Sequence, residues 1–275
     1  PMVKADAYGL GVSEAVQALE PIDSWGFGVA TAEEGAELRA LGVTRPVVVV
    51  SPVPEGSLST ALEADLQIGI SSLDALRMTE GAARSLGVTA AIHLEIDTGM
   101  GRSGLDWRAV DTWGPAVPET ASEVLRWVGC YTHLHSADEG PASVHEQWRR
   151  FRGVLEYLEP PEGVAIHVLN SAGAMRLPEY AVALVRPGIF LYGGEVGAGL
   201  QAPEPVLELR ARVVHLKDAA PGDTVGYGAT YRAGGSERWA TLSIGYADGL
   251  PRALGNQGHA LLRGVRVPIV GRISM

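Results

Sequence analysis

Cysteine is almost absent from this sequence, since Cys130 is the only one among its 275 residues. One cysteine cannot form an internal disulfide, and it rules out a clustered cysteine site for zinc. Long apolar runs are missing too: the valines at 47 to 50 are followed at once by Ser51 and Pro52, whereas a membrane-spanning helix needs roughly 20 apolar residues. We therefore expect a soluble protein of the reducing cytoplasm that does not bind a membrane.

Basic residues are few as well. Lysine and arginine number 22 against 32 aspartates and glutamates, which gives a formal net charge of −10, and the basic residues form no run that could follow a phosphate backbone. Nucleic acid is therefore excluded as an expected partner. Apolar residues, in contrast, make up 46% of the chain, which is enough for a sizeable core in one large or two ordinary domains.

Short apolar runs alternate through residues 1–200 with stretches whose apolar residues recur about every 3.6 positions. Together with Met2 and Val3, the runs are Trp25 to Ala30, Val47 to Val50, Leu66 to Ile70, Ala90 to Ile96, Val128 to His133, Ala165 to Leu169 and Ala183 to Val185. This α/β pattern predicts a (β/α)8 barrel of the TIM type over residues 1–200. An open doubly wound sheet is the alternative, but no Gly-x-Gly-x-x-Gly turn follows the first strand, as its dinucleotide-binding form requires.

After about residue 200, short β-type segments separated by glycine and proline replace this pattern: Leu207 to Leu216, Thr224 to Thr230, Arg238 to Ile244 and His259 to Val270. They predict a mostly β domain over residues 201–275, connected to the barrel by the stretch from Gly193 to Pro205. The chain begins one residue before an apolar strand and stops at Met275 without a helix or cap. We therefore expect a fragment with a clipped first strand and an incomplete β domain.

Polar side chains follow several of the predicted strands, at the ends where parallel barrels carry their chemistry. Lys4 ends the first strand, where a desolvated lysine can lose its proton and form a Schiff base with an aldehyde, and Tyr8 follows four residues later. Arg102, in a glycine-containing loop after Ile96, offers a planar fork of donors for a carboxylate or a phenolate. His133 has an imidazole that could stack on a flat ligand or simply pack in the core.

Two further loops carry groups suited to phosphate. Asn170 and Ser171 follow the seventh predicted strand, where they could cap a helix or hold a phosphate with hydroxyl and backbone N–H groups. Arg186 and Gly188 follow the eighth strand, and barrels commonly bind phosphate after strands seven and eight. Each residue alone has an ordinary structural interpretation, such as capping or surface charge. With the loops that carry Arg102 and His133, they make four loops at the barrel face of Lys4, and together they predict a cofactor site.

The motifs in these loops resemble those of the bacterial alanine racemases, which are pyridoxal-5′-phosphate (PLP) enzymes with a barrel joined to a β domain. The matching segments are Val-Lys-Ala-Asp-Ala-Tyr-Gly at 3–9, Asp-Thr-Gly-Met-Gly-Arg at 97–102, Thr-His-Leu-His-Ser-Ala-Asp at 132–138, Asn-Ser-Ala at 170–172, Val-Arg-Pro-Gly-Ile at 185–189, Tyr-Gly-Ala-Thr-Tyr at 227–231, Ile-Gly-Tyr-Ala-Asp-Gly at 244–249 and Gly-Arg-Ile-Ser-Met at 271–275. Their order and spacing both fit the family, and the segments extend over nearly the whole chain.

The resemblance implies an isomerase that interconverts L- and D-alanine and supplies D-alanine for peptidoglycan. Lys4 would carry PLP and act as one of two proton-transfer bases, and Tyr227 would be the other. The family forms a head-to-tail homodimer in which this tyrosine comes from the partner's β domain. Dimerisation is therefore implied as part of the chemistry.

The resemblance also implies how PLP is held. Tyr8, Ser171 and the backbone N–H groups of Gly188 and Ile189 would bind the phosphate, with Asn170 beside them. Around the ring, His133 would lie against the pyridine face, Arg186 at the ring nitrogen and Arg102 at the phenolic oxygen. Arg102 and the backbone of Met275 would also hold the substrate carboxylate. The groups that would narrow the access and restrict the site to small amino acids are Tyr246, Asp138, Arg252 and Arg272.

Two departures from the family pattern stand out. Glu95 occupies a position where the family often has a carbamylated lysine that steadies the neighbouring arginine, and we expect Glu95 to pair directly with Arg102. The family also has a helix before Val3 and further β strands after Met275, which a fragment would lack.

Other functions share much of this pattern. A serine or broad-specificity amino-acid racemase would use almost every residue named above, and only the pocket volume would separate it from an alanine racemase. A decarboxylase on the same type of barrel is a further alternative. A non-catalytic PLP-binding protein would retain Lys4 and its cofactor but would not exchange the α-hydrogen of alanine.

Overall fold

A computed structural model describes residues 1–119 and 123–275 of the chain. The chain divides into two compact units, Pro1–Leu207 and Glu208–Met275. Strand pairing is parallel in the first unit and antiparallel in the second. Within the described residues, no helix is both long enough and apolar enough to cross a bilayer.

The first unit is built on one parallel sheet. Its strands are β1 (Phe27–Val29), β2 (Val47–Val49), β3 (Gln67–Ile70), β4 (Ala90–Asp97), β5 (Leu105–Asp106), β6 (Leu125–Tyr131), β7 (Ala165–Asn170) and β8 (Leu184–Arg186). The spatial order is β1-β2-β3-β4-β6-β7-β8, and β5 pairs with β4. Met2 links the two ends of this order, because it forms a parallel bridge with Gly28 in β1 and donates its backbone N–H to the carbonyl of Pro187, after β8, at 2.8 Å. The predicted barrel is confirmed, and the open-sheet alternative is wrong.

Helices connect the strands, and α3, α5 and α9 begin at a residue whose side chain caps the helix. Their bounds are α1 (Lys4–Gly9), α2 (Val12–Leu19), α3 (Ala32–Ala40), α4 (Leu58–Glu63), α5 (Leu73–Leu86), α6 (Val110–Trp113), α7 (Ala116–Glu119), α8 (Pro141–Leu158) and α9 (Ser171–Arg176), with 3-10 turns at Glu20–Ile22, Glu55–Ser57, Trp107–Ala109, Pro178–Tyr180 and Ile189–Tyr192. For α5, the hydroxyl of Ser72 accepts from the N–H of Ala75 at 3.1 Å at the start, and Gly87 takes a φ of 68° at the end, which satisfies both helix termini.

Strands β1 to β4 of the barrel are almost entirely buried on both faces. Side chains that are at most 1% exposed include Val47, Val49, Ile68, Ile70, Leu94 and Ile96. A parallel sheet covered by helices needs apolar residues on both faces, which explains why these strands are continuous apolar runs in the sequence. Full burial of one such side chain contributes about 1.5–3 kcal/mol, so the strands form a firm support for the loops at their ends.

The second unit consists of three two-stranded antiparallel sheets. The pairs are β9 (Val213–Ala219) with β12 (Glu237–Leu242), β10 (Thr224–Val225) with β11 (Tyr231–Arg232), and β13 (His259–Leu262) with β14 (Val265–Pro268). Its 3-10 turns are Tyr227–Ala229, Tyr246–Asp248 and Arg252–Leu254. The predicted β character of this region is confirmed, although the apolar stretch from Leu207 becomes a strand only at Val213.

Candidate active site

A cavity of about 310 Å³ lies at the carboxyl ends of the barrel strands. Its walls include every barrel residue predicted to bind the cofactor, namely Lys4, Tyr8, Arg102, His133, Asn170, Ser171, Arg186, Gly188 and Ile189. Asp138, which was expected to narrow the access, lines the cavity as well. The structure thus brings together residues that are widely separated in the sequence.

Lys4 is followed by a left-handed turn rather than by an ordinary helix. The four residues after it have φ values of 53°, 52°, 54° and 59°, in the order Ala5, Asp6, Ala7 and Tyr8. This conformation costs roughly 1–2 kcal/mol for each residue with a side chain. The N–H of Ala7 donates to the carbonyl of Val3 at 2.9 Å and helps to hold the turn. Strained backbone of this kind collects at functional sites, and here it places Lys4 and Tyr8 in one cavity wall.

The surroundings of Lys4 favour its neutral amine. Lys4 is half-buried, and desolvation lowers the pKa of its ammonium group. The guanidinium groups of Arg102 and Arg186 also lower this pKa, whereas the carboxylate of Glu34 opposes them. A neutral amine is the form that attacks a carbonyl carbon or accepts a proton. Lys4 is therefore suited to both tasks.

The loops after β7 and β8 are bonded to each other beside Tyr8. The backbone N–H of Gly188 donates to the hydroxyl of Ser171 at 2.8 Å, and Asn170 caps α9 by accepting from the N–H of Gly173 at 3.0 Å. A Cβ atom at Gly188 would collide with the hydroxyl of Tyr8, so glycine is needed for this approach. Burial raises the pKa of Tyr8, and its hydroxyl keeps the proton that it can donate to a ligand.

Arg186 is a half-buried cation with several acceptors around it. Its Nη1 atom donates to Nδ1 and to the carbonyl of His167 at 2.8 and 2.9 Å, and its Nη2 atom donates to the carbonyl of Thr132 at 2.8 Å. The guanidinium carbon lies 5.2 Å from the ring centroid of Tyr131, within the range of a cation–π interaction. Burial lowers the pKa of Arg186 to about 10, which leaves the group charged at neutral pH.

Two buried histidines extend this network away from Arg186. Because arginine only donates, Nδ1 of His167 must accept, and Nε2 of His167 then donates to Nδ1 of His93 at 3.0 Å. By the same reasoning, Nε2 of His93 donates to Oε1 of Gln67 at 2.6 Å. Burial lowers the pKa of His93 to about 3 and that of His167 well below its usual range. Both rings are therefore neutral. Each hydrogen bond is donated in the same direction, from Arg186 to His167, from His167 to His93 and from His93 to Gln67.

None of the motifs in the sequence predicts this network. His93 and His167 are 0% and 2% exposed, and each interrupts a strand that is otherwise mostly apolar. A polar group inside a buried strand needs a hydrogen-bond partner, so these interruptions are a usable signal. Residue spacing does not reveal the partner, because Arg186, His167 and His93 lie on different strands.

His133 lines the cavity as a neutral imidazole. Desolvation lowers its pKa to about 3, and the positive charges of Arg186, Arg102 and Lys4 act in the same direction. A neutral ring can pack against a flat ligand without adding a further cation to this side of the cavity.

Glu95 is buried in the same part of the barrel, with 3% of its surface exposed. Its carboxylate accepts from the hydroxyl of Ser103 at 2.9 Å, whereas Arg102 is exposed. The predicted direct pairing of Glu95 with Arg102 is therefore wrong, because the next residue of the loop takes the carboxylate. Burial raises the pKa of Glu95, while the bond from Ser103 and the charges of Arg102 and Arg186 lower it, so the arginines act on Glu95 only through space.

The remaining predicted site residues belong to the second unit. Tyr227 begins a 3-10 turn and is 69% exposed. The N–H of Tyr246 donates to the carbonyl of Ser274 at 3.0 Å, and the next N–H donates to the carbonyl of Met275 at 3.1 Å. Within this unit the structure thus brings Tyr246 and Met275 together. Two further predicted residues in the unit are Arg252 and Arg272.

A parallel α/β barrel with a polar cavity at the carboxyl ends of its strands is the architecture of an enzyme. The profile of the family described as "Alanine racemase, N-terminal domain" matches residues 1–196, and that of "Alanine racemase, C-terminal domain" matches residues 206–275. The chain belongs to the alanine racemase family, which confirms the resemblance seen in the sequence.

Individual relatives agree with this assignment. The alanine racemase of Syntrophobacter fumaroxidans is 35% identical over 280 residues, which cover 100% of this chain and 74% of that protein. Alanine racemase 2 of Bacillus subtilis is 35% identical over 291 residues, which cover 100% of this chain and 72% of that protein.

Solved structures show the same similarity. The alanine racemase of Clostridium difficile 630 matches with a TM-score of 0.91 at 31% identity, covering 100% of this chain and 73% of that one. The alanine racemase from D-cycloserine-producing Streptomyces lavendulae matches with a TM-score of 0.91 at 34% identity, covering 100% and 74%.

Proposed function

We propose that this protein interconverts L- and D-alanine with PLP as cofactor, and that Lys4 is one of two proton-transfer bases. The observation that carries the proposal is a half-buried lysine of lowered pKa, in a barrel cavity with Arg102 and Arg186, in a chain of the alanine racemase family. A lysine in these surroundings can react with an aldehyde and can also exchange a proton.

The cavity volume of about 310 Å³ lies in the range of cofactor pockets, and the chemistry of its donors fits PLP. Tyr8 and Ser171 offer hydroxyl groups for a phosphate. The backbone N–H of Gly188, which donates to the Ser171 hydroxyl here, would turn to the phosphate, with Ile189 and Asn170 beside it. The groups that would meet the ring are His133 on its face, Arg186 at its nitrogen and Arg102 at its phenolic oxygen. These donors carry positive charge or no charge, as a phosphate and a phenolate require.

When bound, PLP supplies an electron sink that makes the α-hydrogen of the substrate acidic. Arg186 is held in place by the carbonyls of His167 and Thr132 and by Nδ1 of His167. As a charged donor it would leave the ring nitrogen unprotonated and so moderate the sink. A moderate sink favours return of a proton to the same carbon, which suits racemisation rather than transamination or decarboxylation.

Two bases on opposite faces of the substrate account for inversion. Lys4 would remove or return the proton on one face, and Tyr227 of a second copy would do the same on the other face. Tyr227 is 69% exposed in its own chain, which supports a role toward another copy in a head-to-tail homodimer. Arg102 and the backbone of Met275 would hold the substrate carboxylate, while Tyr246, with Asp138, Arg252 and Arg272, would restrict the site to small amino acids.

Borohydride reduction of the chain in the presence of PLP, followed by peptide mass mapping, tests the cofactor assignment. We expect a phosphopyridoxyl label on Lys4 and none on Lys217, the only other lysine in the sequence. Absence of the label in a folded chain would contradict the assignment.

Exchange of the α-hydrogen of alanine with solvent deuterium tests the reaction. A chain that is labelled at Lys4 but shows no exchange would be a PLP-binding protein without racemase activity. Turnover on alanine, serine and lysine separates an alanine racemase from a serine or broad-specificity racemase, and release of carbon dioxide would indicate a decarboxylase. The cytoplasmic location and the supply of D-alanine for peptidoglycan stay predictions.

A further inference from the structure

The carboxylate of Glu34 connects three parts of the first unit. Its Oε1 atom accepts from the backbone N–H of Ala5 at 2.7 Å, and its Oε2 atom accepts from the N–H groups of Ala30 at 2.7 Å and Thr31 at 3.3 Å. Ala5 follows Lys4 directly, Ala30 follows β1, and Thr31 is the N-cap of α3. Both oxygens are therefore bonded to backbone donors, and bonds to an ionised carboxylate are stronger than neutral ones.

Helix capping explains only part of this arrangement. In a capping box the third helical residue returns to the N–H of the N-cap, and Oε2 of Glu34 makes that bond to Thr31, while the N–H of Glu34 donates to the Thr31 hydroxyl at 3.2 Å. The bond to Ala5 spans 29 positions of the sequence and contributes nothing to the cap. Its effect falls on the turn that follows Lys4.

That turn needs support from outside. Ala5 is the first of four consecutive left-handed residues, and none of the four is glycine, so the surrounding structure must fix their conformation. The N–H of Ala5 belongs to the peptide bond that joins it to Lys4. A carboxylate fixed at the start of α3 therefore fixes this peptide plane, and the plane sets the direction in which the Lys4 side chain leaves the backbone.

Glu34 also acts on Lys4 by charge. Arg102 and Arg186 lower the pKa of Lys4, whereas Glu34 raises it. The other titratable groups of the cavity wall are Tyr8, Tyr131, His133, Asp138 and Glu195. Of these, His133 is neutral and Tyr8 and Tyr131 keep their protons, because burial lowers the pKa of His133 and raises the pKa values of both tyrosines.

We infer that Glu34 is a positioning residue for Lys4: it fixes the peptide bond after the lysine and so holds the amine toward the cavity. Glu34 is not part of the cavity wall among the described residues, so it acts through Lys4 rather than on a ligand. The inference rests on the proposed role of Lys4.

Three variants separate positioning from helix stability and from surface charge. Glu34→Gln keeps the size of the side chain, but it leaves one acceptor oxygen and places an NH2 group where the second oxygen accepted. Thr31→Ala weakens the cap of α3 and leaves the bond to Ala5 intact. Glu33→Gln removes an equal charge from the adjacent position, whose carboxylate accepts from the hydroxyl of Ser57 at 2.8 Å instead.

Two reactions of Lys4 are measured in the full chain by peptide mass mapping, with Lys217 as internal reference. They are borohydride trapping of PLP, and acylation of the PLP-free chain by acetic anhydride across a range of pH. We expect Glu34→Gln to slow trapping about tenfold through misplacement of the amine, and to move the acylation midpoint to lower pH through loss of a negative neighbour. Thr31→Ala and Glu33→Gln should match the wild type in both, even where Thr31→Ala lowers Tm.

Wild-type trapping in a folded Glu34→Gln chain would overturn the inference, whatever its acylation midpoint. If Glu34→Gln does not fold, Glu34→Asp is tested instead, because it keeps the charge but is one methylene shorter. We expect slow trapping of PLP with an unchanged acylation midpoint. Normal trapping in Glu34→Asp overturns the inference. Failure of the unsubstituted chain to trap PLP at Lys4 contradicts the proposed function instead, while the acylation midpoint still tests Glu34.

Discussion

The two lysines of the chain, one in each unit, lie in opposite surroundings. Lys4 is half-buried in the barrel cavity, and desolvation and two guanidinium groups lower its pKa. Lys217 lies on β9, where its amine is 3.9 Å from the carboxylate of Asp223 and 5.4 Å from the ring centroid of Trp239. Burial among cations favours the amine of Lys4, whereas Lys217 is an exposed member of an ion pair. The reactivity of a lysine is therefore set by its site.

The strands of the two units also differ in how much of their apolar surface is exposed. Strands β2 and β4 of the barrel are covered on both faces, as the 0% exposure of Val49 and Leu94 shows, whereas Val214 and Leu216 on β9 are 61% and 51% exposed. Exposed apolar surface of this kind is typical of a face that packs against another protein. This contrast supports the proposal that the first unit holds the lysine and that the second acts toward another copy.

The largest expected effect is the loss of α-hydrogen exchange when Lys4 is removed, and removal of Lys217 is its control. Lys4→Ala should lower α-hydrogen exchange of alanine at least about 10³-fold, because it removes a group that would both bind the cofactor and transfer the proton. Lys217→Ala should leave exchange unchanged and alter stability by less than about 1 kcal/mol, since it removes only a loose, exposed ion pair and a cation–π contact with Trp239. Exchange is followed by NMR in D2O. Retained exchange in Lys4→Ala would contradict the proposed role.

Removing Arg186 should make the surroundings of Lys4 more like those of Lys217. In Arg186→Leu the carbonyls of His167 and Thr132 lose a half-buried, charged donor, and we expect the free energy of unfolding to fall by about 2 kcal/mol. Loss of the positive charge should also raise the pKa of Lys4 and move its acylation midpoint to higher pH. Urea unfolding and acylation measure the two effects.

Arg176→Leu is the matched control for that variant. The guanidinium of Arg176 also donates to backbone carbonyls, those of Ala137 at 2.9 Å and Asp138 at 3.0 Å, but its charge is not among those that shift Lys4. It should lower stability and leave the acylation midpoint in place. A midpoint that moves equally in both variants would mean that the shift reports loosened packing rather than charge.

Gly188→Ala tests the shape of the cavity with no change of charge. The added methyl group would collide with the hydroxyl of Tyr8, and we expect PLP affinity to fall about tenfold, or about 1.4 kcal/mol. Gly81→Ala is the control, because its Cβ would meet no atom within 4 Å, and alanine in a helix should raise stability by up to about 1 kcal/mol. Equal PLP affinity in Gly188→Ala and the wild type would contradict the phosphate site proposed there.

The barrel and the positions of its site residues could be predicted because they depend on patterns within single segments of the sequence. Strands buried on both faces are continuous apolar runs, as at Val47 to Val49, and the residues that follow them must lie at one barrel face. Family motifs then supplied roles for these residues.

What the sequence did not reveal depends on contacts between distant segments. The left-handed turn after Lys4 contains no glycine, and its support comes from Glu34 on α3. Glu95 was expected to pair with Arg102, but its carboxylate accepts a hydrogen bond from Ser103, the next residue of the loop. No pattern within a single segment specifies such a choice of partner.

The smallest effect is a change in how stability depends on pH, and it tests the histidines behind Arg186. His93 is neutral in the folded chain, with its pKa lowered to about 3, whereas an unfolded histidine titrates near 6.5. Below about pH 6.5 the unfolded state therefore binds more protons, so stability is lost as pH falls. For one such histidine the loss between pH 7 and pH 5.5 is about 1 kcal/mol.

His93→Gln should reduce this loss without breaking the network. Its amide can accept from Nε2 of His167 and donate to Oε1 of Gln67, which preserves the direction of the hydrogen bonds, and it does not titrate. Urea unfolding at pH 7, 6 and 5.5 measures the dependence, with the exposed His259→Gln as control. A dependence unchanged in His93→Gln but weakened in His259→Gln would mean that surface protonation, rather than the neutral pair behind Arg186, sets the acid sensitivity of this chain.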